Sequence, residues 1–562
     1  MVKKILKILN WEVSGLHEAA FLLGVSALSS QFLALFRDRL LASNFGASRS
    51  LDIYYASFRV PDLLFISVGS FLAVTVMIPM IISKIETGGD EGLCKAQGFL
   101  SQILTVFSVT MVFFSFIAFI FMPQISSIIT PGFDVESKEM VVLLSRILLL
   151  SPFFLGLSNL LGSVTQSFKK FLVYALSPIF YNLGIIFGIL FLYPMFGLSG
   201  LAMGVVLGAF VHFAIQIPIV FKMGMLPSLT FNIDFKEIKK VSVLSFPRTL
   251  ALGINQLAIM FLIAEGSFMK DGSISIFNFS YNLQSVPLAV IGVSYSVAAL
   301  PELSRIFSKN NVSEFVKYIE GAFNHIVFWS IPITVLFIVL RAQIVRTILG
   351  AGMFSWNDTK LTIAALAIFS VSVIAQNLIQ LLDRVYYATG HTTKPVLTKI
   401  ASSVLIVVLA YFFVDVFSSN NFFRKTLEFV LRVDDVPGTE ILMLPLAFSL
   451  GTMFNLVSLF IMFTFDFDSF SKRFRTTILQ VGSASLSMGA VSYWILGHMS
   501  LVFEIDTLWE IFLQGFVAGI TGILVNIIIL KLIKSSEYLE IENSLGKKFW
   551  KSETVLPSPE EI

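Results

Sequence analysis

Charged residues are scarce in this 562-residue chain. Lys, Arg, Asp and Glu make up 13% of it, against about 25% in a soluble globular protein. A soluble chain of this length would divide into several polar-coated domains, and the residues to coat them are missing. What charge there is balances, 39 basic against 36 acidic residues for a net +3. That balance excludes an extended polyphosphate-binding surface. Cysteine occurs once, as Cys94, which excludes an intrachain disulfide, a thiolate zinc site and an iron–sulfur cluster. The five histidines, His17, His212, His325, His391 and His498, have no HExxH or comparable metal spacing and are read as ordinary packing or interface residues. No cofactor is called for. The remainder is 56% hydrophobic, with 58 phenylalanines and a mean hydropathy of +0.85. This is the composition of an all-α polytopic membrane protein.

A bilayer-crossing helix needs about 20 mostly apolar residues. Fourteen such runs are expected, over 14–36, 53–83, 97–124, 139–163, 173–193, 198–221, 241–268, 274–303, 318–340, 361–388, 395–418, 440–465, 475–497 and 508–533. Strands of a transmembrane barrel would be about 10 residues of strict alternation, and none is seen. Lysine and arginine collect in alternate connections, among them Lys3, Lys4 and Lys7, Lys169 and Lys170, Lys236, Lys239 and Lys240, and Lys472, Arg473 and Arg475. The positive-inside rule then places both termini in the cytoplasm. Residues 1–13, in which lysines alternate with Ile, Leu and Trp11, read as an amphipathic segment on the inner leaflet. Residues 535–562 read as a polar cytoplasmic tail.

The chain carries a weak internal repeat. GSFLAVTVMIPMIIS (69–83) resembles GVSYSVAALPELSR (292–305), with Pro79 and Pro301 separated by 222 positions. QSFKKFLVYA (166–175) resembles YYATGHTTKP (386–395) at about the same offset. Six spans per unit is an even number, so both halves keep one orientation, and a substrate cavity is expected between them. The expected organisation is an N-lobe over 14–222, a C-lobe over 223–465 and two added helices over 466–534.

Ionisable residues inside spans are costly and usually face a cavity or one another. The densest group is FRDRLLASNFGASRSLDIYYASFRVPDLL (36–64). Arg37 and Asp38 end the first span, and Asp52 opens the second. Arg39 and Arg49 read as ligands of helix C-terminal carbonyls. Arg59 lies before Pro61, which kinks or opens the second span; a cavity-facing role and an ion pair with Asp52 or Asp62 both stand for it. Arg248 follows Pro247 in the seventh span. Glu265, near the outer end of that span, reads either as an ion-coupling carboxylate or as a group snorkelling to the interface beside Lys270. A cationic cavity implies an anionic substrate, and guanidinium suits phosphate because its planar fork binds two oxygens at once.

These segments resemble the MviN/MurJ family of lipid II flippases, within the multidrug/oligosaccharidyl-lipid/polysaccharide exporter superfamily. The resemblance is carried in order by 36–64, PGFD (131–134), QSFKKFLVYALSPIFYNLGII (166–186), VIGVSYSVAALPELSR (290–305) and DRVYYATGHTTKP (383–395). It implies a V-shaped pair of six-helix lobes around a cationic cavity, with two extra helices forming a lipid-tail groove. It also implies a transporter rather than an enzyme, in the bacterial inner membrane, moving undecaprenyl-pyrophosphate-linked peptidoglycan precursor outward by alternating access. Carried over by position, the substrate-facing residues are Arg37, Asp38, Asp52 and Arg59. Arg248 is added as a possible replacement cation, because the family's paired arginines are here Phe65 and Ile66, and its arginine in the eighth span is Asn282. Each lost charge-assisted contact weakens anion binding by roughly 1.5–3 kcal/mol. Those neutral positions keep open a flippase for another polyprenyl-linked glycan, a cation-coupled exporter of amphiphiles, and a transport-inactive membrane scaffold. An intramembrane transferase would need clustered carboxylates on a cytoplasmic loop to hold a metal, and the sequence has no such loop.

Overall fold

The computed structural model describes residues 16–69, 72, 74–86, 88–308, 311–467, 470–500 and 507–542. The segment 1–13 and the tail beyond 542 lie outside the described residues. Helices dominate, and no strand occurs among the described residues. In chain order they are α1 (Leu16–Phe45), α2 (Arg49–Ser57), α3 (Arg59–Leu64), α4 (Val74–Ile85), α5 (Gly89–Ile129), α6 (Val135–Ser167), α7 (Phe171–Phe196) and α8 (Leu198–Lys222). There follow α9 (Phe235–Gly266), α10 (Ser273–Phe307), α11 (Val312–Val339), α12 (Arg341–Ile348), α13 (Trp356–Ala388), α14 (Thr393–Ser419), α15 (Asn421–Leu431), α16 (Thr439–Asp466), α17 (Lys472–Met499) and α18 (Leu508–Leu532). The polar residues between apolar runs start these helices by accepting their first amide hydrogens. Asp234 accepts from Lys236 N at 2.9 Å, Asn311 from Glu314 N at 3.1 Å and Ser471 from Arg473 N at 3.1 Å. Thr507 and Glu510 form a reciprocal capping box.

Eleven helices among the described residues are long and apolar enough to cross a membrane, so the chain is a multi-pass membrane protein. The count of fourteen is not reached among the described residues. The first expected span, 14–36, begins outside the described residues, and its remainder falls on α1. The thirteenth falls on α17, diluted by Gln480, Ser483, Ser485, Ser487 and Ser492. The second is broken into α2, α3, a π-helical turn over Phe65–Gly69 and α4.

Pro61 explains the first break. Proline has no amide hydrogen and its ring clashes with the carbonyl four residues back, here that of Ser57. That residue ends α2, and Pro61 occupies the first turn of α3. The freed Ser57 carbonyl is not left bare, since the Ser145 hydroxyl of α6 donates to it at 3.0 Å.

Helix boundaries recur at the offset seen in the sequence. The ends of α1 and α9 are Phe45 and Gly266, and α6 and α13 run over 135–167 and 356–388. Two of the three π-helical turns among the described residues begin at Phe65 and Leu288, and the third, Gly188–Leu192 within α7, has no counterpart in α14. Lys169 and Gly390, both with positive φ, occupy the matching turns after α6 and α13.

The chain forms two compact units. One comprises Met1–Val286, Ile348–Phe369 and Thr392–Asn455, the other Pro287–Thr347, Ser370–His391 and Leu456–Ile562. The first unit therefore holds all of the first six expected spans together with α9, the start of α10, parts of α13 and α16, and the whole of α14 and α15. Its core includes Phe99, Ile103, Phe107 and Leu160. The second unit packs Phe315, Phe323, Tyr386 and Phe463 together, and there Tyr386 donates to Asp466 at 2.9 Å.

Within the first unit, α7 and α8 touch backbone to backbone through glycines. A Cβ added to Gly184 would lie 2.2 Å from Gly208 Cα, and one on Gly204 would lie 2.5 Å from Gly188 Cα. Small residues allow this approach where lipid offers no hydrophobic drive between helices. Gly204→Val should therefore cost about 1–3 kcal/mol through overpacking. Thermal unfolding of the detergent-solubilised protein should show a lower Tm, and an unchanged Tm would contradict this packing.

Candidate functional site

Three ionisable residues of 36–64, Asp38, Asp52 and Arg59, meet one face of α10. That face is polar in an otherwise apolar helix. Ser275, Asn278 and Asn282 are three and four residues apart, a spacing that aligns them along one side. Each meets a residue singled out in the sequence. Asp52, buried, accepts from Gly272 N at 2.7 Å, from Ser275 N at 2.7 Å and from Ser275 Oγ at 2.6 Å. Arg59 donates from Nη2 to Asn278 Oδ1 at 2.6 Å. Asn282 donates from Nδ2 to Asp38 Oδ2 at 3.0 Å. At about 1.5 Å of rise per residue, this ladder runs some 14 Å from the start of α10 to Asn282.

The lower rung is a charge pair with neutral support. Arg37 donates from Nε and Nη2 to Asp38 Oδ1, at 2.9 and 2.7 Å, and from Nη1 to Asn182 Oδ1 of α7 at 3.2 Å. Asn182 is held in turn by Ser30 Oγ at 3.2 Å. Arg59 is less well supplied. It is 8% exposed, and its Nε has no partner among the described residues. Neither Asp52 nor Asp62 forms an ion pair with it among the described residues; its partner is an amide. Asp62 instead borders a small cleft of about 30 Å³ with Phe58, Phe65 and Tyr181.

Around the mouth of the ladder, the sequence motifs find their reasons. Arg49 pairs with Asp271 and lies over the Phe133 ring, 4.3 Å from its centroid. Arg49 therefore does not cap a helix C-terminus, because it stands in the first turn of α2. Arg39 does, donating to the last carbonyl of α12, Ile348 O, at 3.3 Å. In PGFD, Gly132 lies where a Cβ would be 2.4 Å from Ser267 O, and its amide donates to Ser267 Oγ at 2.9 Å. Phe133 supports Arg49, and Asp134 caps α6 through Ser137 N at 3.4 Å. Hydrogen bonding by Ser137 holds the Asp134 carboxyl below its ordinary value. Asp358, at the start of α13, accepts from Ala47 N at 3.3 Å.

Four of the six residues proposed from sequence thus belong to one network: Arg37, Asp38, Asp52 and Arg59. The Arg248 side chain lies outside the described residues. Glu265 stands in the last turn of α9, 9% exposed, and makes no hydrogen bond to the ladder among the described residues. That burial does not fit a side chain snorkelling to the interface. Sequence reasoning missed Asn182, Asp271, Ser275 and Asn278. The signal for the last two was the polar stripe on α10, and for Asp271 its spacing of 222 from Arg49.

Long apolar helices interrupted by one internal strip of paired and amide-held charge are the construction of a membrane transporter. The family model described as lipid II flippase MurJ matches residues 41–514. The chain is 26% identical over 393 residues to a Rickettsia prowazekii protein described as a probable lipid II flippase MurJ, covering 69% of this chain and 76% of that one. It is 25% identical over 390 residues to the lipid II flippase MurJ of Burkholderia cenocepacia, covering 68% and 74%. Its fold resembles the solved inward closed conformation of lipid II flippase MurJ, with a TM-score of 0.71 and 23% identity over 93% of this chain and all of that one. An inward-facing multidrug resistance transporter of the MATE family, in the MOP superfamily, matches with a TM-score of 0.60 and 17% identity over 82% and 99%. The chain belongs to the lipid II flippase MurJ family.

Asp52→Ala should orphan the amide hydrogens of Gly272 and Ser275, at about 1–3 kcal/mol for each buried group. Hydrogen–deuterium exchange over residues 270–278 should accelerate in the variant. Equal exchange in the two proteins would mean that Asp52 does not hold the start of α10.

Proposed function

We propose that this chain is a lipid II flippase, a transporter in the bacterial inner membrane with both termini in the cytoplasm. It moves undecaprenyl-pyrophosphate-linked peptidoglycan precursor to the outer leaflet by alternating access. The moving parts are an N-lobe over 14–222 and a C-lobe over 223–465, with 466–534 accepting the lipid tail. In this reading the α1–α2 connection belongs to the first lobe and the start of α10 to the second, and the ladder serves as the outer gate in its closed state.

One observation carries the assignment of Arg59 and Arg37 to the cargo. Arg59 is a buried guanidinium with a single amide acceptor and an orphan Nε. A buried charge so sparsely satisfied is costly, and a pyrophosphate supplies the acidic oxygens it lacks. Arg37 is fully engaged in the closed gate, on Asp38 and Asn182. A pyrophosphate that draws Arg37 away weakens the Asp38 rung that Asn282 also uses. The cargo therefore binds the open state better than the closed one, which is the condition for it to shift the equilibrium. The neutral residues Phe65, Ile66 and Asn282 favour a second reading, in which the same machinery carries another polyprenyl-linked glycan.

Depletion of the protein in its own host, followed by an externally added toxin that cleaves lipid II, separates these readings. Lipid II should become protected from the toxin as the protein disappears. Unchanged cleavage in a cell with no second flippase would overturn the lipid II assignment. Arg37→Ala and Arg59→Ala should each fail to restore cleavage while the variant proteins remain in the membrane. Full restoration by both would remove these cations from the cargo path.

A further inference from the structure

We propose that α15 is a lipid-docking helix that lies on the phospholipid surface at the ladder's end of the molecule, with Phe422 and Phe429 inserted among the lipids. The helix is extra to the internal repeat. Between α7 and α8 stands one residue, Gly197, whereas the matching connection between α14 and α16 runs over 420–438. Something other than chain closure therefore accounts for it.

One face of α15 is committed to the protein. The Phe423 ring stacks on Phe413 of α14 with centroids 6.3 Å apart, and the Arg424 guanidinium stands 5.6 Å from the Phe417 centroid. Glu428 is buried on this side, accepting from Thr439 Oγ1 at 2.6 Å and from Arg424 Nε at 3.0 Å. The following turn is tied to α13 by the Lys360–Asp435 ion pair. Since α13 also receives Ala47 N through Asp358, α15 stands at the end where the ladder opens.

The opposite face is apolar and bare. Phe422 is 80% exposed and Phe429 77%. They are seven residues apart and so share one stripe, close to two full turns along the helix. Two uncovered rings on a short, firmly seated helix need an apolar medium, and the neighbouring surface identifies it. Along α14, Val404, Val408, Tyr411 and Phe412 form an exposed apolar stripe on a membrane-spanning helix. That stripe faces lipid and climbs to α15. Lys425 flanks the Phe422–Phe429 stripe and has no partner among the described residues. A lysine beside aromatic rings at the edge of a span is the pattern of the membrane interface, where the ammonium meets lipid phosphate and the rings sit at headgroup depth. A protein partner would need a complementary site, and no feature of this face other than its rings and its cation points to one.

The test uses the full chain reconstituted in phosphatidylethanolamine–phosphatidylglycerol vesicles. Cys94→Ala removes the native thiol, and Phe422→Cys or Phe429→Cys then carries a nitroxide label. The expected reading at both positions is ready collision with dissolved oxygen and loss of collision with a water-soluble nickel chelate. Ready collision with the chelate would place the face in water and overturn the proposal. Protection from both reagents would place it against protein, a second copy included, and would overturn it equally. Phe429→Trp, in a chain whose six native tryptophans are replaced by phenylalanine, gives an independent reading without a label. Its fluorescence should be quenched by phospholipids brominated near the headgroup, and an unquenched signal would count against insertion.

Discussion

A buried carboxylate at the start of a helix sets the register of everything around it. Asp52 takes the amide hydrogens of Gly272 and Ser275 and the hydroxyl of Ser275. The first amides of a helix have no partner within it, and no side chain of α10 itself is placed to satisfy them. With the start of α10 fixed in this way, Asn278 faces Arg59 and Asn282 faces Asp38. A slip of one residue would turn the helix by about 100° and separate all three rungs at once. The polar stripe and the helix cap are therefore one constraint, and each rung presupposes the one above it.

The contacts also bear the mark of the repeat. Arg49 meets Asp271, Asp52 meets Ser275 and Arg59 meets Asn278, pairs separated by 222, 223 and 219 positions. In the two-lobe reading, positions a repeat length apart are equivalent, and equivalents meet only beside the axis that relates the lobes. A true two-fold dimer would set like against like there, arginine on arginine and aspartate on aspartate. Within a single duplicated chain the two copies are free to diverge. Here they have done so in complementary directions, cation against carboxylate and carboxylate against hydroxyl and amide.

The helical class was legible because it rests on composition alone: 13% charge cannot coat a soluble protein of this length. The cluster at 36–64 was legible because charge inside an apolar run is costly wherever it occurs. The partners were harder to read. Asn182, Asn278 and Asn282 are uncharged and sit in spans whose hydropathy they barely lower, yet they hold the guanidiniums and Asp38. For Arg59 the sequence left both a cavity-facing role and an ion pair with Asp52 or Asp62 open; Pro61 breaks the helix at Phe58 and so separates Arg59 from the turn that carries Asp52. The π-helical turns leave no trace in apolar periodicity, since one extra residue per turn among apolar residues changes no pattern. Two spans missing from the apolar count, α17 and the broken second span, are ones where polar residues or proline interrupt the run.

Asn282 shows what the departures from the family pattern do to the closed gate. The resemblance places an arginine there. In this chain Asp38 offers one oxygen to Arg37 and the other to the neutral amide of Asn282, so the rung carries no net charge. With arginine at 282 the same rung would hold two cations on one carboxylate, and an unbalanced buried charge is expensive to keep from water. Such a gate would be strained shut and eager for an anion. The neutral amide lowers the cost of closure and, by the same amount of charge, lowers the pull on a pyrophosphate. In the proposed function, what remains for the cargo is Arg59, whose Nε has no partner among the described residues. On that proposal, the balance between a gate that closes well and a cavity that binds well is set by how many guanidiniums the ladder holds, and an amide at 282 in place of a guanidinium favours closure.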